Sequence, residues 1–110
     1  MTDLEQVEIQ IEMAQKLRKM RDNCVKLTAS ETWKDIITEG YFKEEAARLV
    51  MAKSSNLTPE QMQLIDNMQY GIGALANYIE SVMRRGAEMD QALGEHEETR
   101  EEILAEEVSV

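Results

Sequence analysis

The chain has 110 residues, of which 31% are charged and 5% are aromatic, and it carries a net charge of −10. A chain of this length forms one domain at most. The acidic surplus disfavours direct binding to nucleic acids and to anionic membranes, because both need an excess of Lys and Arg. No stretch approaches the length of a membrane span, and the N-terminus lacks the apolar core of a signal peptide, so neither is expected.

The composition favours helices over strands. The sequence has one Pro, five Gly, eight Met and few aromatic or β-branched runs. Methionine fills irregular gaps between helices, so most of the Met residues are expected to lie in helix–helix contacts. Cys24 is the single cysteine, which excludes an internal disulfide. Because Cys24 falls on the apolar face of the first predicted helix, we expect it to be a small buried residue.

The first predicted helix runs from Thr2 or Asp3 to about Leu27. Its apolar residues follow each other at steps of three or four, as on one face of an α-helix. These residues are Leu4, Val7, Ile11, Ala14, Leu17, Met20, Cys24 and Leu27. Acidic residues occupy the first half and basic residues the second half, an order that suits the helix dipole.

Two short helices are predicted in the middle of the chain. Either Thr28 with Glu31, or Ser30 alone, can cap the first of them. Gly40 is expected to end it in a left-handed conformation. A second short helix is predicted over 43–52. Since this region holds the only Trp and the only Phe, it is the best candidate for a small globular core.

The last predicted helix begins at the strongest local signal in the chain. Thr58 can cap it, Pro59 suits the first helical position, and Gln61 can complete a capping box. From there an apolar stripe, here called the long stripe, continues almost to the C-terminus. Its members are Met62, Ile65, Met68, Ile72, Leu75, Ile79, Val82, Gly86, Met89, Leu93, His96, Arg100 and Ile103.

Comparing helix lengths suggests how the two long helices pair. At about 1.5 Å per residue, an antiparallel first helix reaches only to about Arg85 on the last helix. Its acidic first half would then lie near Arg84 and Arg85. Residues 87–110 carry a net charge of −8 and are expected to project. Whether the helix continues through Gly71, Gly73 and Gly86 stays open at this point.

The predicted fold is therefore all-α: a long, coiled-coil-like helical hairpin around two short central helices, with a projecting acidic C-terminal helix. The corresponding division is a helical hairpin over 1–86 and an acidic helical extension over 87–110.

No set of residues indicates catalysis or metal binding. His96 is the only histidine, and its acidic neighbours do not share its helix face at metal-ligand spacing. The chain has no glycine-rich phosphate loop, no nucleophile elbow and no Cys–His pairing. We therefore predict a non-enzymatic protein without cofactor, metal or small-molecule substrate.

The segment from Trp33 to Val50 is the most distinctive part of the sequence. This part, above all its segment Gly40-Tyr41-Phe42-Lys43-Glu44-Glu45-Ala46-Ala47-Arg48-Leu49, resembles short, mostly uncharacterised helical proteins of tailed bacteriophages, together with residues 56–61, 85–86 and 95–98. The resemblance covers roughly residues 17–98. It implies a phage context among head and packaging functions, in the host cytoplasm or within the virion, and it supplies no catalytic residues.

Two functions follow from these observations. The first is a helical interaction or assembly protein that associates with itself or with a phage head, portal or packaging protein. The second is an acidic inhibitor of a host protein that imitates nucleic acid or counters defence. The residues expected to make the interaction are Trp33, Tyr41, Phe42, Arg48, Met89 and Leu93.

Overall fold

The computed structural model describes residues 2–109, and within this range the chain is helical with no strand. The elements are α1 (Asp3–Ala29), α2 (Glu31–Trp33), a π-helix (Lys34–Glu45), α3 (Ala46–Ala52) and α4 (Pro59–Ser109). The expected all-α class is confirmed. None of these helices is long and apolar enough to cross a membrane.

Local signals at the helix ends act as the sequence predicts. The Oγ of Ser30 accepts a hydrogen bond from the Trp33 amide at 3.2 Å, so Ser30 caps α2. Thr58 and Gln61 form a reciprocal capping box at the start of α4. The Thr58 amide donates to the Gln61 Oε1 at 3.0 Å, and the Gln61 amide donates to the Thr58 Oγ1 at 3.2 Å.

The middle of the chain differs from the prediction at Gly40. Instead of ending a short helix in a left-handed conformation, Gly40 lies inside the π-helix with no positive φ. In a π-helix each amide bonds to the carbonyl five residues earlier, which widens the turn. The backbone crowds at this point, because a Cβ on Gly40 would lie 3.1 Å from the Asp35 carbonyl oxygen. α2, the π-helix and α3 follow one another without a loop.

The last helix is continuous. α4 passes through Gly71, Gly73, Gly86 and Gly94 as one helix of 51 residues. No glycine therefore interrupts the helix that carries the long stripe.

The chain divides into two compact units, 1–25 with 81–110 and 26–80. In the first, here called the terminal unit, the two helical segments run antiparallel. Thr2 and Leu4 lie beside Ile103 and Glu106, and Arg21 lies against Gly86. A cluster of buried residues joins the segments, with partly buried neighbours around it. The buried members are Val7, Ile11, Ala14 and Leu93, and the neighbours are Leu4, Met89 and Ile103.

This pairing confirms the helical hairpin but corrects the expectation that α4 projects beyond Gly86. Leu93 is only 3% exposed, and Ile103 packs against the same core. The expected pairing has the start of α4 opposite the end of α1. In the structure residues 31–52 accompany the first half of α4, so α1 is left to cover the second half.

The register also reverses the expected charge match. The basic second half of α1 meets α4 near Gly86, where Arg21 donates two hydrogen bonds to the Asp90 carboxylate, at 2.6 and 3.2 Å. Arg84 pairs within its own helix with Glu88, at 3.9 Å. The acidic start of α1 instead lies beside the acidic end of α4: Asp3 lines the same surface hollow as Glu106 and Glu107. This end is here called the acidic tip.

The second unit, here called the central unit, spans residues 26–80. Leu49 from α3 and Ile72 from α4 are its buried hydrophobic residues among those described. The loop before α4 is held by an ion pair between Lys53 and Asp66 at 2.7 Å. Its two helical legs are the segment from the π-helix through α3 and the first part of α4. Because these legs bury so few side chains, much of their apolar surface stays uncovered, and that surface forms the candidate site.

Candidate functional site

The central unit contains an open hollow of about 660 Å³ between its two helical legs. We call it the central groove. One wall comes from the π-helix and α3, and the other from α4. The lining residues are Ile36, Ile37, Gly40, Tyr41, Glu45, Leu49, Met68, Gly71, Ile72 and Leu75. Glu45 is the one charged residue among them, so the groove suits an apolar occupant.

Apolar side chains in the groove remain accessible to solvent. Ile36 is 62% exposed and Met68 is 42% exposed, although both belong to the groove walls. At its floor Leu49 is 1% exposed, which shows that the two legs do pack together there. Exposure of the walls above a packed floor leaves apolar area that a partner can remove from water.

The π-helix supplies half of the lining residues. Ile36, Ile37, Gly40, Tyr41 and Glu45 all lie within Lys34–Glu45. Long π-helical segments are rare, and shorter ones are frequent at functional sites. Here the widened turns bring the backbone of Gly40 and the side chains of Ile36 and Ile37 to one wall of the groove.

The charged group at the groove, the Glu45 carboxylate, is already paired within the chain. The Arg48 Nε donates to the Glu45 Oε2 at 3.0 Å, and a second guanidinium nitrogen bonds the other carboxylate oxygen. This hydrogen bonding from Arg48 lowers the pKa of the Glu45 carboxyl, so it stays ionised at neutral pH. The pair therefore places a neutralised polar edge beside an apolar surface.

The predicted interaction residues of the middle region fall in and around this groove. Tyr41 lines it, and the Phe42 ring lies 6.0 Å from the Tyr41 ring. Arg48 acts at the edge through Glu45. Trp33 is half-buried, and its backbone amide bonds to the Ser30 cap.

Met89 and Leu93 lie elsewhere. Both belong to the hydrophobic cluster of the terminal unit, where α1 covers them. Both residues belong to the long stripe and were expected to contact an external partner. In the structure their partner is α1 of the same chain.

The sequence analysis placed Met68 on the long stripe but did not identify Ile36, Ile37 or Met68 as part of a site. It also missed that Leu75 and Gly71 line the same groove. The missing information was the pairing of the legs, which no local spacing gives. One signal was available: no charged residue stands between Asp66 and Glu80.

Other candidate chemistry is sparse. Within residues 2–109, no group of three or more His, Cys, Asp or Glu side chains is arranged to hold a metal ion. Cys24 is buried, as its position on the apolar face of α1 predicts.

Comparisons with known proteins give no relative. No protein-family model, no curated protein and no solved structure matches this chain.

Proposed function

We propose that this protein is a non-enzymatic helical interaction protein that binds an apolar helix of another chain in its central groove. The observation that carries the proposal is the groove itself, an open hollow of about 660 Å³ with exposed apolar walls. Binding of an amphipathic helix in a hydrophobic groove is a recurrent mode of protein recognition, in which a few apolar side chains of the helix enter the groove.

The shape of the central unit supports a helix as the occupant. Among the residues described, the two helical legs bury only Leu49 and Ile72, which are 1% and 9% exposed. A third or fourth helix is what usually completes such a pair, because each helix of a bundle buries a broad apolar face. The burial of Ile36 and Met68 by that helix supplies the driving force.

The setting proposed for this activity is a tailed bacteriophage. The resemblance of the segment from Gly40 to Leu49 supports it, and we propose a partner among head, portal or packaging proteins or a second copy of the chain. The protein would then act in the host cytoplasm or as part of the virion.

A photo-crosslinking experiment tests the groove as the binding surface. A photoreactive amino acid replaces Ile36 in the groove, or Met51 as the control. Met51 is 70% exposed in the same unit but does not line the groove. After irradiation in infected cells and in purified particles, we expect discrete protein adducts from position 36 alone. Equal adducts from both positions, or none from position 36, would contradict the proposal.

A second candidate function has its own observation. Acidic residues of both long helices meet at the acidic tip, where like charges repel and reduce stability. A surface of this kind is suited to occupying the basic groove of a host nucleic-acid-binding protein. Removing the acidic residues by truncating the chain after Gly86 is not a clean test of this second function. The truncation also removes Leu93 and Ile103 from the hydrophobic cluster of the terminal unit. Replacing Glu106 and Glu107 with Gln removes charge alone, and unchanged inhibition of DNA binding by host proteins would exclude the tip.

A further inference from the structure

A second apolar row lies on α1, away from the side that packs against α4. Its members are Ile9, Met13 and Met20. Steps of four and seven residues place them on one face of the helix. The spacing of apolar residues assigns Met20 to the inward stripe of α1, but the structure leaves it 39% exposed, and Met13 is 61% exposed. The row is therefore open to solvent.

Basic side chains border this row. No Asp or Glu stands between Glu12 and Asp22, although the chain holds 22 acidic residues. The basic residues of this interval are Lys16, Arg18, Lys19 and Arg21. Lys16 and Lys19 share a shallow surface hollow with Met13. We call Ile9, Met13, Lys16, Lys19 and Met20 together the outer face of α1.

The two lysines of the outer face have no counter-charge within the chain. Among residues 2–109, neither Lys16 nor Lys19 forms a hydrogen bond or an ion pair. The arginines of the same interval act inside the terminal unit, since Arg21, and more weakly Arg18, lower the pKa of the Asp90 carboxyl. The helix dipole does not account for the lysines either. Its effect is confined to the last turn, and α1 continues to Ala29.

We propose that the outer face of α1 binds an acidic amphipathic helix of another protein. Apolar side chains of that helix contact Met13 and Met20, and its carboxylates pair with Lys16 and Lys19. Burial of the apolar row supplies affinity, and methionine adapts its shape to a partner surface. The charges select an acidic helix over a basic or neutral one. The outer face belongs to the terminal unit and the central groove to the central unit, so this inference goes beyond the proposed function.

Other occupants fit the outer face less well. A nucleic acid could pair its phosphates with the lysines, but it would leave Met13 and Met20 uncovered. A duplex or an anionic membrane is also an extended polyanion that meets the whole chain, whose net charge is −10. A single helix meets mainly the local charges, because exposed charges more than about 10 Å away are screened at 0.1 M salt. A second copy has no free acidic helix of this kind, since Met89 and Leu93 of α4 already pack on their own α1.

Fluorescence anisotropy with a synthetic peptide tests the proposal on the full chain. The labelled peptide is a helix of about three heptads with Leu at positions a and d, Glu at e and g, and Ala elsewhere. We expect binding that weakens as salt is added. Replacing Lys16→Glu and Lys19→Glu together should weaken it about tenfold or more, because two attractions become repulsions. Met13→Gln with Met20→Gln should also weaken binding, through the loss of apolar contact.

A matched control and a charge swap make the test specific. Lys34→Glu with Lys43→Glu changes the charge of the chain equally at exposed sites of the central unit, and it should leave binding unchanged. A peptide with Lys in place of Glu should bind the Lys16→Glu, Lys19→Glu variant more tightly than the wild type. Circular dichroism verifies that each variant keeps its helices.

Four results would overturn the proposal. They are no binding of the acidic peptide, equal loss in both lysine-pair variants, tighter lysine-dependent binding to a DNA duplex or to phosphatidylserine vesicles, and a wild-type dimer in sedimentation equilibrium that the Lys16→Glu, Lys19→Glu variant abolishes. If Ile36→Gln, in the central groove, removes peptide binding and the lysine variant does not, the groove binds the peptide. The proposed function then stands and only this inference fails.

Discussion

The packing of Gly86 against Arg21 gives a sharp test of how the terminal unit is held together. A Cβ added at Gly86 would lie 2.1 Å from the Arg21 Cβ and 2.6 Å from its Cγ. The Arg21 Cβ is fixed to the backbone, so no rotamer change can relieve the closest contact. To reach an ordinary carbon–carbon distance, the two helices must separate by about 1.5 Å at this point.

We therefore expect Gly86→Ala to destabilise the protein. Overpacking of this kind costs about 1–3 kcal/mol, and Ala returns about 1 kcal/mol through its higher helix propensity. The separation also stretches the hydrogen bonds from Arg21 to Asp90 and loosens the buried contacts of Val82. The net loss in free energy of unfolding should therefore reach up to about 2 kcal/mol.

Gly94→Ala is the matched control. It lies in the same helix and the same unit, and its added Cβ would meet nothing within 4 Å. Helix propensity alone should then raise the free energy of unfolding by about 1 kcal/mol. Urea denaturation followed by far-UV circular dichroism measures both variants. If Gly86→Ala is as stable as Gly94→Ala, the close approach of α1 and α4 at this point is wrong.

Three further outcomes are expected. Hydrogen bonding from Arg21 lowers the pKa of Asp90 below its ordinary 3.8, so its contribution is present above that pH and is lost as pH falls through the lowered value. Asp90→Asn should flatten this acid limb in urea midpoints measured against pH. Thr58→Ala should cost about 1 kcal/mol in the same assay, since it removes a cap, whereas Thr99→Ala inside α4 should not. Added salt should stabilise the wild type by screening the acidic tip, and Glu107→Gln should reduce that salt effect in thermal melts.

Local signals in the sequence predicted the helix ends because the interactions involved are local. The capping box of Thr58 and Gln61 needs only residues three apart, and it forms as expected. The π-helix could not be predicted in this way. Gly40 fits a helix end and a crowded helix interior equally well, and the choice depends on how the Lys34–Glu45 segment packs.

The register of the two long helices was not predictable from the long stripe. A stripe that repeats every three or four residues fits a partner helix at many positions, because a shift by one heptad restores the same pattern. What fixes the register is the length of chain that accompanies the first half of α4. Residues 31–52 take that place, so Leu93 and Met89 are covered by α1 and do not form a binding surface.

The candidate site was missed because α4 carries two overlapping apolar rows. One is the long stripe, and the other is the groove-lining row of Met68, Gly71 and Leu75. The sequence assigns Met68 to the long stripe, but in the structure Met68 lines the open groove while its neighbour Gln69 is the less exposed of the two. One residue is about 100° of rotation on a helix, enough to turn a side chain from one neighbour to another. A helix with one neighbour needs one apolar row. The second row on α4, within a segment free of charge between Asp66 and Glu80, therefore argues for a second neighbour, and in the central unit that place is open.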